Sequence, residues 1–298
     1  MKKFMTAVAT VALLAQGGIA LSGTSVMADG HKMAHGHFDA AKLDKVLAAQ
    51  DDAHKARYQY RHPKETLKYF GVAPGMTVVD TLAGSYYSPI LIPYLGNEGA
   101  LYGVSYSIPM REIDNKDNAE RMESYRTWPA RYTKDAEGWR GTGKTAVGGF
   151  LFGDVPAALK GKVDVFLMMR AMHHLNKYED VAMTRTKALK DVFEALKPGG
   201  TLGIVQHRAP AGNSDDWAKG FNGYIKQEPL IAAVKAAGFE FVGSSEINAN
   251  PKDMPTEADF VWRLPPVFAG SKDNPEKKAM MAAIGESDRM TLKFRKPE

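Results

Sequence analysis

A helix that stops at Pro-Gly-Gly and runs straight into an apolar strand is one half of an α/β unit. This chain holds that passage at Leu196-Lys197-Pro198-Gly199-Gly200-Thr201-Leu202-Gly203-Ile204-Val205, after the helical run 188–195. A second prelude of the same kind, Phe70-Gly71-Val72-Ala73-Pro74-Gly75, introduces Met76-Thr77-Val78-Val79-Asp80. Two such units predict α/β architecture with a doubly wound, mostly parallel sheet. Seven strands are expected, at 76–80, 99–105, 147–152, 163–169, 201–206, 239–244 and 290–294. Helical patterns cover 38–52, 53–69 with a break at Pro63, 178–196 and 228–237. The stretch 106–144 reads as a polar insert, and the chain from Pro251 to Pro275 as irregular. The last two strands have no clear helix between them, which predicts an antiparallel pair at the end of the sheet.

Export is expected from the first residues. Lys2 and Lys3, the apolar run 7–21 and Val26-Met27-Ala28 are the basic, apolar and small-residue parts of a secretory signal peptide. Gln16, Gly17 and Gly18 interrupt the apolar run, which is shorter than the ~20 residues of a membrane span. The expected organisation is therefore a signal peptide over 1–28, a leader and helix over 29–57, and an α/β domain over 58–298. The mature protein is expected in the periplasm or outside the cell, free of the membrane. His31, His35 and His37 lie in the leader among Gly, Lys and Ala. Clustered imidazoles suit zinc, copper or nickel, but this setting reads as a disordered leader.

Setting aside Lys2 and Lys3 lowers the formal charge from +5 to +3. With no basic run, that balance argues against nucleic acid and leaves a small molecule as the expected partner. There are no cysteines. Disulfides, thiolate zinc sites and cysteine nucleophiles are thereby excluded.

Three motifs bear on chemistry. Gly138 to Thr145 matches the pattern of a phosphate-binding P-loop, but polar residues precede it and a strand-like run follows, so it reads as a surface turn. Asp80 and Gly84 stand at the carboxyl edge of the first strand, where open α/β sheets bind ligands. Arg170, His173 and His174 follow the fourth strand, and His207-Arg208 ends the fifth. At a shared edge, Arg170, His173, His207 and Arg208 would bind an anion or supply an acid and a base. Adjacent histidines do not readily chelate one metal, so no metal is expected. Trp128, Arg131, Tyr132, Trp139 and Arg140 enrich the insert, as a lid or as packing.

With these residues in view, the chain resembles the class I S-adenosylmethionine-dependent methyltransferases, and within them exported methyltransferase-like proteins. The resemblance runs from about Tyr58 to Pro297. It is carried by Arg61-His62-Pro63-Lys64-Glu65-Thr66-Leu67, Pro74-Gly75-Met76-Thr77-Val78-Val79-Asp80, Leu91-Ile92-Pro93-Tyr94-Leu95, Arg170 with His173, Leu196-Lys197-Pro198-Gly199-Gly200 and His207-Arg208-Ala209. It implies a Rossmann-like methyltransferase fold and S-adenosylmethionine as cofactor. Asp80 and Gly84 would lie at its methionine end, Ser105 at the ribose and Asp154 at the adenine. Two features depart from the family's pattern. Leu82 and Tyr86 stand where glycines are usual, and Ser105 replaces the carboxylate that grips the ribose. Losing that carboxylate removes a contact worth roughly 1.5–3 kcal/mol. Two functions follow from the resemblance: methyl transfer to a small acceptor, or ligand binding on a degenerate methyltransferase fold.

Overall fold

Seven strands lie in the order β3-β2-β1-β4-β5-β7-β6. The computed structural model describes residues 36–298, so the expected signal peptide and most of the leader, including His31 and His35, lie outside the described residues. The strands are β1 (Thr77–Thr81), β2 (Ala100–Ser105), β3 (Ala146–Leu151), β4 (Val163–Met169), β5 (Leu196–His207), β6 (Glu240–Ser245) and β7 (Arg289–Arg295). The first five pair in parallel, and β7 runs antiparallel to both β5 and β6. In β4, six of seven residues are buried, as a central parallel strand covered on both faces requires. From β1 the chain winds outward through β2 and β3, then returns to place β4 on the other side of β1. The order therefore reverses between β1 and β4, which makes their carboxyl ends a ligand crevice by topology.

Helices cover both faces. One face carries α1 (Ala40–Ala48), α2 (Asp52–Lys55), α3 (Tyr58–Arg61), α4 (Pro63–Phe70) and α5 (Ser88–Leu95). Its core joins Leu43 and Leu47 of α1, Leu67 and Phe70 of α4 and Ile90 to Ile92 of α5. Thus α1, which the sequence assigns to the leader segment, packs into the same core as the sheet. His62 adopts a left-handed φ of 38° between α3 and α4, and Pro63 opens α4, which gives the expected break its physical form.

The insert between β2 and β3 is helical, as α6 (Ile108–Asn115), α7 (Ala119–Arg126) and α8 (Trp128–Arg140). Its polarity belongs to the outer faces. Tyr132 is buried, and a Cβ at Gly103 would lie 2.5 Å from its ring, so that glycine lets α8 sit on the sheet. Trp128 stacks on Tyr132, and Trp139 packs beside it. The insert's aromatics thus pack it onto the body. Gly138 to Thr145 spans the end of α8 and the turn before β3, so helix precedes strand, the reverse of a P-loop.

The other face carries α9 (Met172–Lys177), α10 (Glu179–Ala182), α11 (Thr184–Ala195) and α12 (Gln227–Ala236). Ala188, Leu189, Val192 and Ala195 of α11 repeat at helical spacing and are buried against the sheet. Each large apolar side chain so buried contributes about 1.5–3 kcal/mol. The helix expected over 178–196 is shorter, because Met183 turns left-handed (φ 53°) and starts α11 afresh. Strand β5 also begins earlier than expected, at Leu196. Its register to β4 slips between Val163 and Val165, so Pro198-Gly199-Gly200 is a bulge within the strand rather than a linker before it. A last helix, α13 (Pro275–Ile284), follows the proline-rich stretch with no buried residue, which is why no apolar period announced it. No helix among the described residues is long and apolar enough to cross a membrane.

Candidate functional site

Parallel pairing brings the carboxyl ends of β1, β4 and β5 side by side. At the end of β4, the Arg170 N–H donates to the Val205 carbonyl at 2.6 Å, and a left-handed φ of 58° turns the chain into α9. His173 and His174 therefore sit within the first turns of α9, not ahead of a helix. His207 is the last residue of β5.

These groups line a cavity of about 250 Å³ together with Arg57, Arg61, Trp262, Glu286, Ser287 and Arg289. Glu286 is its anchor. It accepts from Arg57 Nε at 2.8 Å, from Arg61 Nε at 3.2 Å and from Arg289. Burial pushes the Glu286 carboxyl up, but the guanidiniums of Arg289, Arg61 and Arg57 outweigh that and hold it at about 2. Arg61 also lies over the Tyr86 ring, 4.2 Å from its centroid. The Arg170 side chain makes no hydrogen bond or ion pair among the described residues. Burial, with Arg61 and Arg289 nearby, pushes its pKa down to about 9, so it stays cationic at neutral pH. Four guanidiniums thus face one carboxylate.

Hydrogen bonding fixes the tautomer of the buried His173. Gln206 Oε1 accepts from the His173 backbone N–H at 3.2 Å, which sets the amide's orientation, and lies 3.3 Å from His173 Nδ1. Nδ1 of His173 therefore carries the proton, and its buried Nε2 is a lone pair with no partner. Ser287 Oγ accepts from Arg289 Nε at 3.2 Å and keeps one lone pair and one proton for His207 Nδ1, 2.5 Å away, so either His207 tautomer bonds it. Burial first, then neighbouring positive groups, lowers both pKa values well below the ordinary histidine value, so both rings are neutral.

Asp80 and Gly84 lie across the wall of Arg57, Arg61 and Arg170, in a second cavity of about 250 Å³. Asp80 Oδ1 is buried without a partner. Burial pushes its carboxyl up to about 7, with Arg170 pulling the other way.

The expected cofactor residues stand at the carboxyl ends of the adjacent strands β1, β2 and β3 but do not line one cavity. The Tyr106 hydroxyl, one residue past β2, donates to the Ala171 carbonyl, two residues past β4, at 2.9 Å. Since β1 lies between those strands, this side chain crosses the carboxyl end of β1. Leu82 packs against the same core in a left-handed turn (φ 54°), its N–H bonded to Val104 O at 2.8 Å. Asp154 is exposed and lines a separate cavity of about 570 Å³ between α6 and α11. Ser105 is buried and lines neither cavity.

Of the four residues expected to share a site, Arg170, His173 and His207 meet, and Arg208 does not. Successive strand residues point to opposite faces, and Arg208 turns away from His207. Its guanidinium is held by Glu246 at 2.7 Å and Asp288 at 2.8 Å, beside a different cavity. Those two carboxylates raise its pKa. Sequence reasoning missed Arg57, Trp262, Glu286 and Arg289. The polar run Glu286-Ser287-Asp288-Arg289 ahead of an apolar strand was an available signal for two of them. Among the described residues no group of three or more His, Asp or Glu is placed to hold a metal ion.

No protein-family model matches the chain, and no curated protein does. Solved structures do. A putative methyltransferase from Haloferax volcanii, solved with the Trm112 methyltransferase activator, is 16% identical with a TM-score of 0.50, over 86% of this chain and 96% of that one. The fold is that of a methyltransferase. A SAM-dependent methyltransferase from Aquifex aeolicus is 20% identical over 71% of this chain and 94% of its own, at TM-score 0.45. A putative sarcosine dimethylglycine methyltransferase from Galdieria sulphuraria is 16% identical over 88% and 92%, at 0.47. Identities this low establish a shared fold and leave chemistry to the site itself.

Proposed function

We propose that this chain is an exported, methyltransferase-fold protein that binds a small molecule in the arginine–histidine cavity and no longer uses S-adenosylmethionine. One observation carries the reading: the buried Tyr106 side chain, bonded to Ala171 O, lies across the end of β1. The residues there do not fit the cofactor. Its ribose would need a carboxylate where Ser105 stands, and a close backbone approach where Leu82 stands. The two cavities that would hold its ends are separate. Export is supported by Lys2, Lys3, the apolar run 7–21 and Val26-Met27-Ala28. A charged cofactor made inside cells would be scarce in the periplasm, in keeping with a closed crevice.

A second reading, methyl transfer with His173 or His207 taking the acceptor's proton, is favoured by one feature. The Asp80–Gly84 cavity and the Asp154 cavity both lie along the carboxyl edge of the parallel strands. Equilibrium dialysis against radiolabelled S-adenosylmethionine separates the two. The binding-protein reading expects no retention at millimolar ligand, and saturable retention would overturn it.

A further inference from the structure

Arg170 is the one guanidinium of the cavity that Glu286 does not hold. We infer that the cavity takes a small hydroxylated oxyanion, one molecule offering a carboxylate or phosphate group to Arg170 and a hydroxyl to His173 and His207. The inference rests on reading the chain as a binding protein and names the class of its ligand.

The charge argument comes first. Glu286 compensates one of four guanidiniums, and Asp80, its carboxyl pushed up to about 7 beside Arg170, offsets part of a second at neutral pH, so the cavity keeps a positive excess. A planar guanidinium offers paired donors that match carboxylate and phosphate oxygens. Arg57, Arg61 and Arg289 are held in place by Glu286, so the positive field around Arg170 is fixed before any ligand arrives.

The histidines supply the second half. With the proton on Nδ1, His173 presents a bare Nε2 that is buried and has no partner. His207 Nδ1 is bonded to Ser287 Oγ, which leaves Nε2 as the ring nitrogen free for a ligand, a donor or an acceptor according to the tautomer. Their ring centroids are 5.3 Å apart. The bare His173 Nε2 needs a donor, and a hydroxyl supplies one while keeping two lone pairs to accept from His207 in the tautomer that carries its proton on Nε2. Two carboxylate oxygens cannot do this, because His173 offers no proton there.

Size limits the class. About 250 Å³ lies below the roughly 300–1,000 Å³ of pockets for drug-sized ligands, so the cavity suits a small acid. Trp262, Pro265 and Pro266 close the wall with apolar surface.

The test is titration calorimetry of the purified protein at pH 7 and low salt with matched pairs. L-malate against succinate, and glycerol 3-phosphate against propyl phosphate, differ mainly by a hydroxyl and together separate carboxylate from phosphate. Glycerol is the uncharged control. At least one hydroxylated anion should bind, and its partner lacking the hydroxyl should be weaker by about tenfold or more. Arg170→Met should weaken the preferred anion by a similar factor, with Arg170→Lys in between. Arg170 already holds a left-handed backbone, so neither variant adds strain there. Should Arg170→Met fail to fold, the wild-type pairs still decide. Equal affinity with and without the hydroxyl, no anion binding up to roughly 10 mM, or an unchanged Arg170→Met would each overturn the inference. S-adenosylhomocysteine run in parallel keeps the two readings apart. If it binds alongside the anions, the closed crevice is refuted and the anion site stands. If neither binds, the anion site is refuted and the closed crevice stands.

Discussion

Around Tyr106, on the β2 side of the sheet's carboxyl edge, most polar groups are spent on one another, and among the described residues only Arg111 Nε, whose guanidinium lies over the Tyr106 ring, is buried without a partner. The Tyr106 hydroxyl satisfies the Ala171 carbonyl, and the Leu82 amide satisfies Val104. Around Arg170, on the β4–β5 side, fewer are so spent. A guanidinium, a histidine lone pair and a carboxylate oxygen of Asp80 stand without partners among the described residues. Leaving a buried polar atom unpaired costs about 1–3 kcal/mol. A fold bears that cost where a ligand is to supply the missing bond. The edge is therefore the more receptive on its β4–β5 side.

Glu286→Gln should break the receptive side most severely, since the buried guanidiniums of Arg61 and Arg289 and the partly buried one of Arg57 would lose their only carboxylate. A loss of about 3–5 kcal/mol in chemical denaturation is expected. A loss below about 1 kcal/mol would mean that the arginine cluster is not held by Glu286.

Asp80 gives the next largest effect, and it depends on pH. Its carboxyl, ordinarily at 3.8, is pushed up to about 7, so the native state keeps a proton that the unfolded chain releases. That contribution is full below pH ~4, falls as pH rises through 7, and is gone above it. Asp80→Asn should match wild type near pH 4 and exceed it at pH 8 by on the order of 1–4 kcal/mol. Parallel pH curves for the two proteins would refute the burial argument.

On the β2 side, Tyr106→Phe removes one hydrogen bond and should cost about 1 kcal/mol. A neutral result would mean that the bond to Ala171 O does not hold the side chain in place. The smallest effect belongs to Arg208→Ala, whose half-buried guanidinium pairs with partly exposed carboxylates: about 1 kcal/mol or less, with anion binding unchanged. Lost anion binding in that variant would return Arg208 to the site.

Much of the fold was legible because its signals are local. Apolar runs at 76–80 and 163–169 and the Pro-Gly-Gly passage announce parallel strands without reference to the rest of the chain. Helices α6 to α8 were hidden because their outer faces dominate the composition of 106–144. Arg170, His173 and His207 were legible for a topological reason, since they end adjacent strands. Arg57 and Glu286 were not, because they meet across 229 residues of sequence and nothing near either one signals the other. Tyr106 escaped notice because its partner is a backbone carbonyl 65 residues on, which no side-chain motif records. Arg208 was misplaced because adjacency in sequence was taken for adjacency in space, and a strand reverses that at every residue.

Titration calorimetry of the purified protein with S-adenosylhomocysteine tests the central claim most directly. With Tyr106 across the end of β1, no heat of binding is expected up to millimolar ligand. A saturable isotherm with Kd below roughly 100 μM, equivalent to more than about 5 kcal/mol, would show that the crevice opens and would contradict the account.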